Sequence, residues 1–432
     1  MKKLVFGVFL LLAVIGTACG YFLLTDTVKP TVELSPASDV AAPKREFTLR
    51  LADAGSGLKN AKVTVTQGDK QITLLDKTFD APVKEAQEKF TLEPAGLRDG
   101  AFGLTVTVTD RSLANFGAGN ATRLEKNLTL DTTPPRVEVT SLAHNVRQGG
   151  VGAVSFTTNE EPESAGVVVG QDFYPAYKME NGKYFGLYVF PYDMDPKNFV
   201  PKVKVTDRAG NTAIAAFRYQ AIPRKFRQDK LNISDAFLES KMPQYYDVIT
   251  DTRDNLQIYL RVNNDVRKQN AVFLRELAQK SAPAMLWDKK AFLRLPNAAP
   301  KAGFGDHRTY FYQGKEIDQQ THMGVDLASL EGAPVPAANS GKVVFTGFLG
   351  IYGETVIIDH GLGLQTLYAH LRRIEAQVGQ EVKKGDIIGR TGVSGLAGGD
   401  HLHFGVLVAG QETSPIEWWD QHWIDDNILN KL

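Results

Sequence analysis

His322-Met323-Gly324-Val325-Asp326, Tyr368-Ala369-His370 and His401-Leu402-His403 decide how this chain is read. Six of its eight histidines fall between residues 307 and 403, whereas His144 and His422 stand apart. Asp400-His-Leu-His-Phe-Gly-Val-Leu-Val has strand composition, and residues two apart on a strand share a face, so His401 and His403 look into one cleft. His322 and Asp326, four apart with Gly324 between them, share a face if the segment is extended, and Gly324 keeps that face clear. A helix also aligns residues four apart, but the glycine and the lack of a helical apolar period argue against one. Two imidazoles and a carboxylate make a three-ligand set that suits Zn²⁺ and leaves a fourth position open, the mark of a catalytic rather than a structural zinc site. Histidine donors disfavour magnesium and calcium, which prefer oxygen. Five residues meet at this site and only three can be ligands if one position stays open. The other two histidines are then free to move protons and steady an oxyanion.

In order and spacing these residues resemble the lysostaphin/LytM-type zinc metallopeptidases, which cut peptidoglycan peptides. The resemblance covers about residues 296–420 and includes Gly332-Ala-Pro334, Gly341-Lys-Val343, Tyr352-Gly353, Ile358-Asp-His360-Gly361, Gly385-Asp-Ile-Ile-Gly389 and Ser394-Gly395. It implies a compact antiparallel β domain with a groove, zinc on His322, Asp326 and His403, and His370 and His401 as catalytic histidines. Glu354, Gly405 and Gly399-Asp400 depart from the family's pattern. They bear on substrate choice, since pentaglycine and D-alanyl-diaminopimelate cutters share the remaining motifs. A rival implied by the same family is a catalytically silent regulator that activates a cell-wall amidase. Such members lose zinc ligands, and this chain retains them all. His360, in Asp-His-Gly at a strand end, reads as structural, and His307 as a loop residue at the cleft rim. Trp418, Trp419 and Trp423 read mainly as packing against the sheet.

Lys plus Arg equals Asp plus Glu at 49 each, so no net field draws the protein to nucleic acid. The lone cysteine, Cys19, excludes an intramolecular disulfide. After Lys2 and Lys3, the uncharged run Leu4–Leu24 is long enough to span a bilayer. An uncleaved signal anchor over 1–25 is the favoured reading, over cleavage near Ala18-Cys19-Gly20 or lipidation of Cys19. Each reading exports the remainder; the favoured one leaves an inner-membrane anchor with the bulk of the chain on the periplasmic side of the envelope.

Residues 26–222 alternate Val, Thr and Phe between Gly, Asp and Asn turns, the pattern of antiparallel sandwiches. Asp26-Thr-Val-Lys-Pro30 repeats as Asp131-Thr-Thr-Pro-Pro135, and Val-Thr-Asp110-Arg as Val-Thr-Asp207-Arg. This predicts two tandem immunoglobulin-like sandwiches, 26–130 and 131–222, serving as a spacer or as a binder of glycan or of a cell-wall or divisome protein. Asp110 and Asp207 invite a calcium reading, but the asparagines that follow favour turn chemistry. Residues 223–295 predict a small linking subdomain, with helices at Ser234–Met242, capped by Ser234, and Asp265–Lys280. Its place just upstream of the site motivates the expectation that it restrains activity. The peptidase-like domain is expected over 296–432, with strands at 342–348, 354–360, 364–370 and 401–408.

Overall fold

A computed structural model describes residues 26–432, so the anchor expected at 1–25 lies outside the described residues. Among the described residues no helix is long and apolar enough to cross a membrane. The fold is mainly β, in two compact units: the described chain up to Pro135 with Glu160–Glu163 and Thr206–Ala213, and Arg136–Asn159 with Ser164–Val205 and Ile214–Leu432.

In the first unit, strands such as Phe47–Ala52 and Gly100–Asp110 bury alternate residues, as the period-2 pattern requires. Thr31–Ser35, Phe47–Ala52 and Glu85–Phe90 form one antiparallel sheet; Val40–Ala41, Ala121–Leu130, Gly100–Asp110, Leu58–Gln67 and Lys70–Val83 lie in that order in a second. Leu49 and Leu51 from the first meet Val63, Val65, Val106 and Val108 from the second in a single core.

In the second unit, five antiparallel strands run side by side in the order Val137–Val139, Val151–Thr158, Tyr184–Val189, Asp172–Lys178 and Ser164–Val169. Two pairs within 26–222 depart from the antiparallel expectation: Val40–Ala41 runs parallel to Ala121–Leu130 in the first unit, and His144–Arg147 parallel to Tyr219–Ile222 in the second. The Val151–Thr158 region shares a core with the C-terminal sheet, through Val154, Phe156, Val406 and Trp418 among others. Polar contacts bind the two as well: the Val151 amide donates to Glu417, and the Tyr174 and Ser155 hydroxyls donate to Gln411 and to the Lys431 carbonyl.

The C-terminal sheet runs Ala299–Ala302, Val325–Ala328, Leu402–Val408, Leu364–Ile374, Glu354–Gly361, Gly341–Phe348 and Glu381–Val382, all antiparallel. Leu402–Val408 and most of Leu364–Ile374 are buried without alternation, because both faces of the sheet are covered. Leu402, Phe404 and Val406 face the core shared with Val154 and Phe156. Leu367, Ala369 and Leu407 face Leu238, Met242, Tyr245, Tyr259 and Leu274 of the upstream helical segment.

That segment begins as expected: the Ser234 hydroxyl accepts from the Phe237 amide and caps Asp235–Lys241. Its main helix starts ten residues before Asp265. Asp254 caps Asn255–Arg261 by accepting from the Leu256 and Gln257 amides, a π-helical turn spans Val262–Val266, and α-helix resumes over Arg267–Ala278. The polar pair Asn263-Asn264 hides the apolar period. Both amides are turned inward and donate to Asp318, at 2.7 and 3.0 Å. Trp418 is fully buried against Trp287, Phe292 and Trp423, and Trp419 stacks on Phe404.

Candidate metal centre

The strand pairing brings the ligand set together. Val325–Ala328 lies antiparallel to Leu402–Val408 with Asp326 opposite His403, so the two side chains rise side by side. His322 lies between the hairpin His307–Thr321 and the bend at Gly324, so it and Asp326 do not share one extended strand. Its main chain is held on both sides, the His322 amide donating to Asp306 O and its carbonyl accepting from Gly305. Its Nδ1–H donates to Gly303 O at 2.8 Å, which turns Nε2 toward the site. His322 Nε2, Asp326 Oδ1 and His403 Nδ1 lie 2.9, 3.0 and 3.0 Å from one another.

This donor set fits zinc. A tetrahedron with bonds of about 2.0 Å has edges of about 3.3 Å, so an outward shift of a few tenths of an ångström accommodates the ion. Gly324 makes the approach feasible, because a Cβ there would lie 2.5 Å from His403 Nε2. His322, Asp326 and His403 are all buried. Burial pushes the His403 pKa down to about 4, which keeps the ring neutral as ligation requires. Burial alone would raise Asp326, but the facing His322, with His401 and His403, holds it well below the usual carboxylate range.

His370 and His401 adjoin this trio, with ring centroids 4.9 Å apart. Leu364–Ile374 pairs with Leu402–Val408 as far as Ala369 and with Ile387–Thr391 from Leu371 onward. His370 sits at that change of partner with φ of 62°, a left-handed conformation uncommon outside glycine. Its Nδ1–H donates to Ser394 O at 2.9 Å. Burial first, and then the neighbouring His401 and His403, push its pKa well below the ordinary value. His401 is not on the strand with His403. It forms an isolated bridge to Gly392, and its Nδ1–H donates to Gly399 O at 2.8 Å. Its Nε2 lies 3.5 Å from Asp326 Oδ1. Burial opposes its charge, but bonding to and attraction by Asp326 prevail and raise its pKa.

Arg308 gave no signal in the sequence. It projects from the strand His307–Tyr312, and its guanidinium donates to Asp326 Oδ2 at 3.2 Å, leaving Oδ1 for the ligand trio. An outer partner of this kind orients a ligating carboxylate. The cleft is a cavity of about 540 Å³, and the upstream segment forms one wall of it through Leu231, Phe237, Tyr259 and Arg267. His307 is on a strand, not in a loop, with Nδ1 3.1 Å from the Thr321 hydroxyl. His360 is fully buried, donating to Ser340 O and accepting from Thr366, so both ring nitrogens are engaged. His144 is likewise bound between Ser141 and Arg218 O.

Residues 320–415 match Peptidase family M23, so the chain carries an M23 domain of the lysostaphin/LytM type. The DD-carboxypeptidase/endopeptidase Mpg of Neisseria meningitidis is 40% identical over 95 residues, 22% of this chain and 22% of that protein. The peptidoglycan DD-endopeptidase ShyB of Vibrio cholerae is 36% identical over 107 residues, 25% of this chain and 24% of that protein. The chain thus matches about a quarter of the length of these curated relatives. Among solved structures, the catalytic domain of lysostaphin from Staphylococcus simulans aligns at 30% identity over 29% of this chain and 94% of that one, with a TM-score of 0.26.

Proposed function

With an M23 peptidase domain at residues 320–415 as the premise, we propose that this protein is a zinc-dependent endopeptidase that hydrolyses peptide bonds in peptidoglycan stems or cross-links. The observation that carries the reading is the meeting of His322, Asp326 and His403 at 2.9–3.0 Å, with His370 and His401 against them in one cavity. His322, Asp326 and His403 hold the zinc. When bound, zinc supplies a water acidified to a pKa of roughly 7 and polarises the carbonyl under attack. Arg308 keeps Asp326 turned so that Oδ1 stays with the ligands. His370 and His401 each donate Nδ1–H to a backbone carbonyl, which fixes the rings; this leaves Nε2 of His370 for the substrate and sets Nε2 of His401 beside Asp326 Oδ1. They serve as the proton-transfer and oxyanion-stabilising groups.

The proposed setting is the cell envelope, with residues 1–25 as an inner-membrane anchor. In this scheme 26–130 and 131–222 are immunoglobulin-like units that space the domain at 296–432 from the membrane or bind a wall component. Residues 223–295, which line the cleft, restrain access to it. The test is hydrolysis of purified cross-linked muropeptides by metal-stripped protein. Activity is expected to return with zinc, and not to return in His403→Ala. Full activity without metal, or in that variant, would overturn the proposal.

A further inference from the structure

The first unit contains a second cluster of potential ligands, far in sequence from the M23 domain. Asp26, Asp53 and Asp110 bring three carboxylates together, with one oxygen of each within 4.8 Å of the others. Asp53 and Asp110 are 2% and 0% exposed. Among the described residues, none of the three forms an ion pair; Lys84 acts on Asp26 only at longer range, its ammonium donating to the carbonyls of Ala54 and Gly55.

Turn chemistry accounts for part of this cluster. Asp110 Oδ1 accepts from the Ser112 and Asn120 amides, and Oδ2 from the Asn120 side chain at 2.7 Å. Asp26 accepts from the amides of Val28 and Ser56. Asp53 is different. Its Oδ2 accepts from the Gly57 amide, but its Oδ1 is buried and has no hydrogen-bond partner. A buried carboxylate oxygen left bare beside two further carboxylates is costly unless something positive meets it.

The arrangement also recurs. Asp207 Oδ1 accepts from the Gly210 and Asn211 amides, Oδ2 accepts from the Asn211 side chain, and that side chain also donates to Asp131 O. Asn120 makes the corresponding bond to Asp26 O. Asp131, Glu160 and Asp207 form the matching trio, with Glu160 in the place of Asp53. The repeat seen in the sequence is therefore a repeat of the carboxylate arrangement, and its third member comes from a separate loop that neither Asp-Arg turn predicts.

We propose that Asp26, Asp53 and Asp110 bind one calcium ion. An all-oxygen, carboxylate-rich set excludes the softer metals that the histidine site selects. Calcium accepts six to eight oxygens in flexible geometry, so water completes the shell, whereas magnesium demands a near-ideal octahedron. The ion ties the chain at Asp26 to the loop that follows Phe47–Ala52 and to the last residue of Gly100–Asp110. An affinity on the order of 10⁻⁴–10⁻³ M is expected, as in extracellular modules.

The test is equilibrium dialysis of the full chain in detergent against radioactive calcium chloride, with a parallel thermal melt. Asp53→Asn, which keeps the size of the side chain, is expected to bind one calcium ion fewer than the parent and to lose part of the calcium-dependent rise in Tm. Glu160→Gln is expected to retain the ion at Asp53. Zinc content and muropeptide hydrolysis should be unchanged in both variants, and a cooperative melt without calcium shows that the first unit, which carries both substitutions, is folded. Calcium binding by Asp53→Asn equal to the parent's, or no binding by the parent at about 5 mM calcium, would overturn the proposal. Should Asp53→Asn fail to fold, Asp26→Asn serves with the same expected loss of one ion.

Discussion

Gly324→Ala tests the geometry of the metal centre with a single methyl group. A Cβ at this position would lie 2.5 Å from His403 Nε2 and 2.7 Å from both His403 Cε1 and Phe404 O. Ordinary contact begins near 3.4 Å, so the imidazole must retreat by roughly 0.9 Å. The backbone cannot absorb the displacement, because His403 is held in register opposite Asp326 in the middle of a sheet. Gly324 has no positive φ, so the substitution adds no backbone strain and the effect is steric. Moving a ligating ring by nearly 1 Å should weaken zinc binding about ten- to hundredfold and lower kcat/KM by about 10². Competition with a zinc chelator gives the affinity, and muropeptide hydrolysis at saturating zinc gives the rate. A variant with parental zinc affinity and parental rate would refute this account of the site.

Other consequences are equally concrete. His370→Ala should retain zinc while kcat falls about 10²–10⁴-fold; a variant that loses zinc instead would make His370 a ligand. Arg308→Leu frees Asp326 Oδ2 and should weaken zinc binding about tenfold or more, measured by the same chelator competition; unchanged affinity would remove Arg308 from the site. Burial pushes the Glu417 pKa up to about 7 from an ordinary 4.5. The folded protein therefore holds a proton that the unfolded chain releases, so this group's contribution declines as pH rises from about 4.5 to about 7, by about 3 kcal/mol in all. Glu417→Gln should flatten that decline in denaturant unfolding followed across the same range; an unaltered slope would show that Glu417 is not its source.

The meeting of His322, Asp326 and His403 is legible because the chemistry of a candidate metal site admits few residue types, and those types stand in the motifs themselves. Its surroundings are less so. His401 shares a motif with His403 but lies just off the strand, on a bridge to Gly392 that spacing does not reveal. Arg308 is joined to Asp326 only by tertiary structure, and an arginine next to a histidine carries no signal in one dimension. The first turns of the main helix carry no sequence signal because Asn263 and Asn264 interrupt its apolar stripe; their reason is Asp318, far along the chain. Asp53 carries no sequence signal for the same kind of reason: the Asp-Arg turns are local, and the third carboxylate arrives from another strand connection. The composition of Leu402–Val408 predicts a strand, but not that one face meets the helical segment and the other the Val151–Thr158 region.

Digestion of purified peptidoglycan by the full chain in detergent, with products identified by mass spectrometry and His322→Ala alongside, tests the central claim most directly. The account predicts new muropeptides with a freed amine and carboxylate at one defined peptide bond, absent from the variant. Zinc-loaded protein that yields no cleaved peptide, yet stimulates a cell-wall amidase, would contradict it and establish the silent regulator instead.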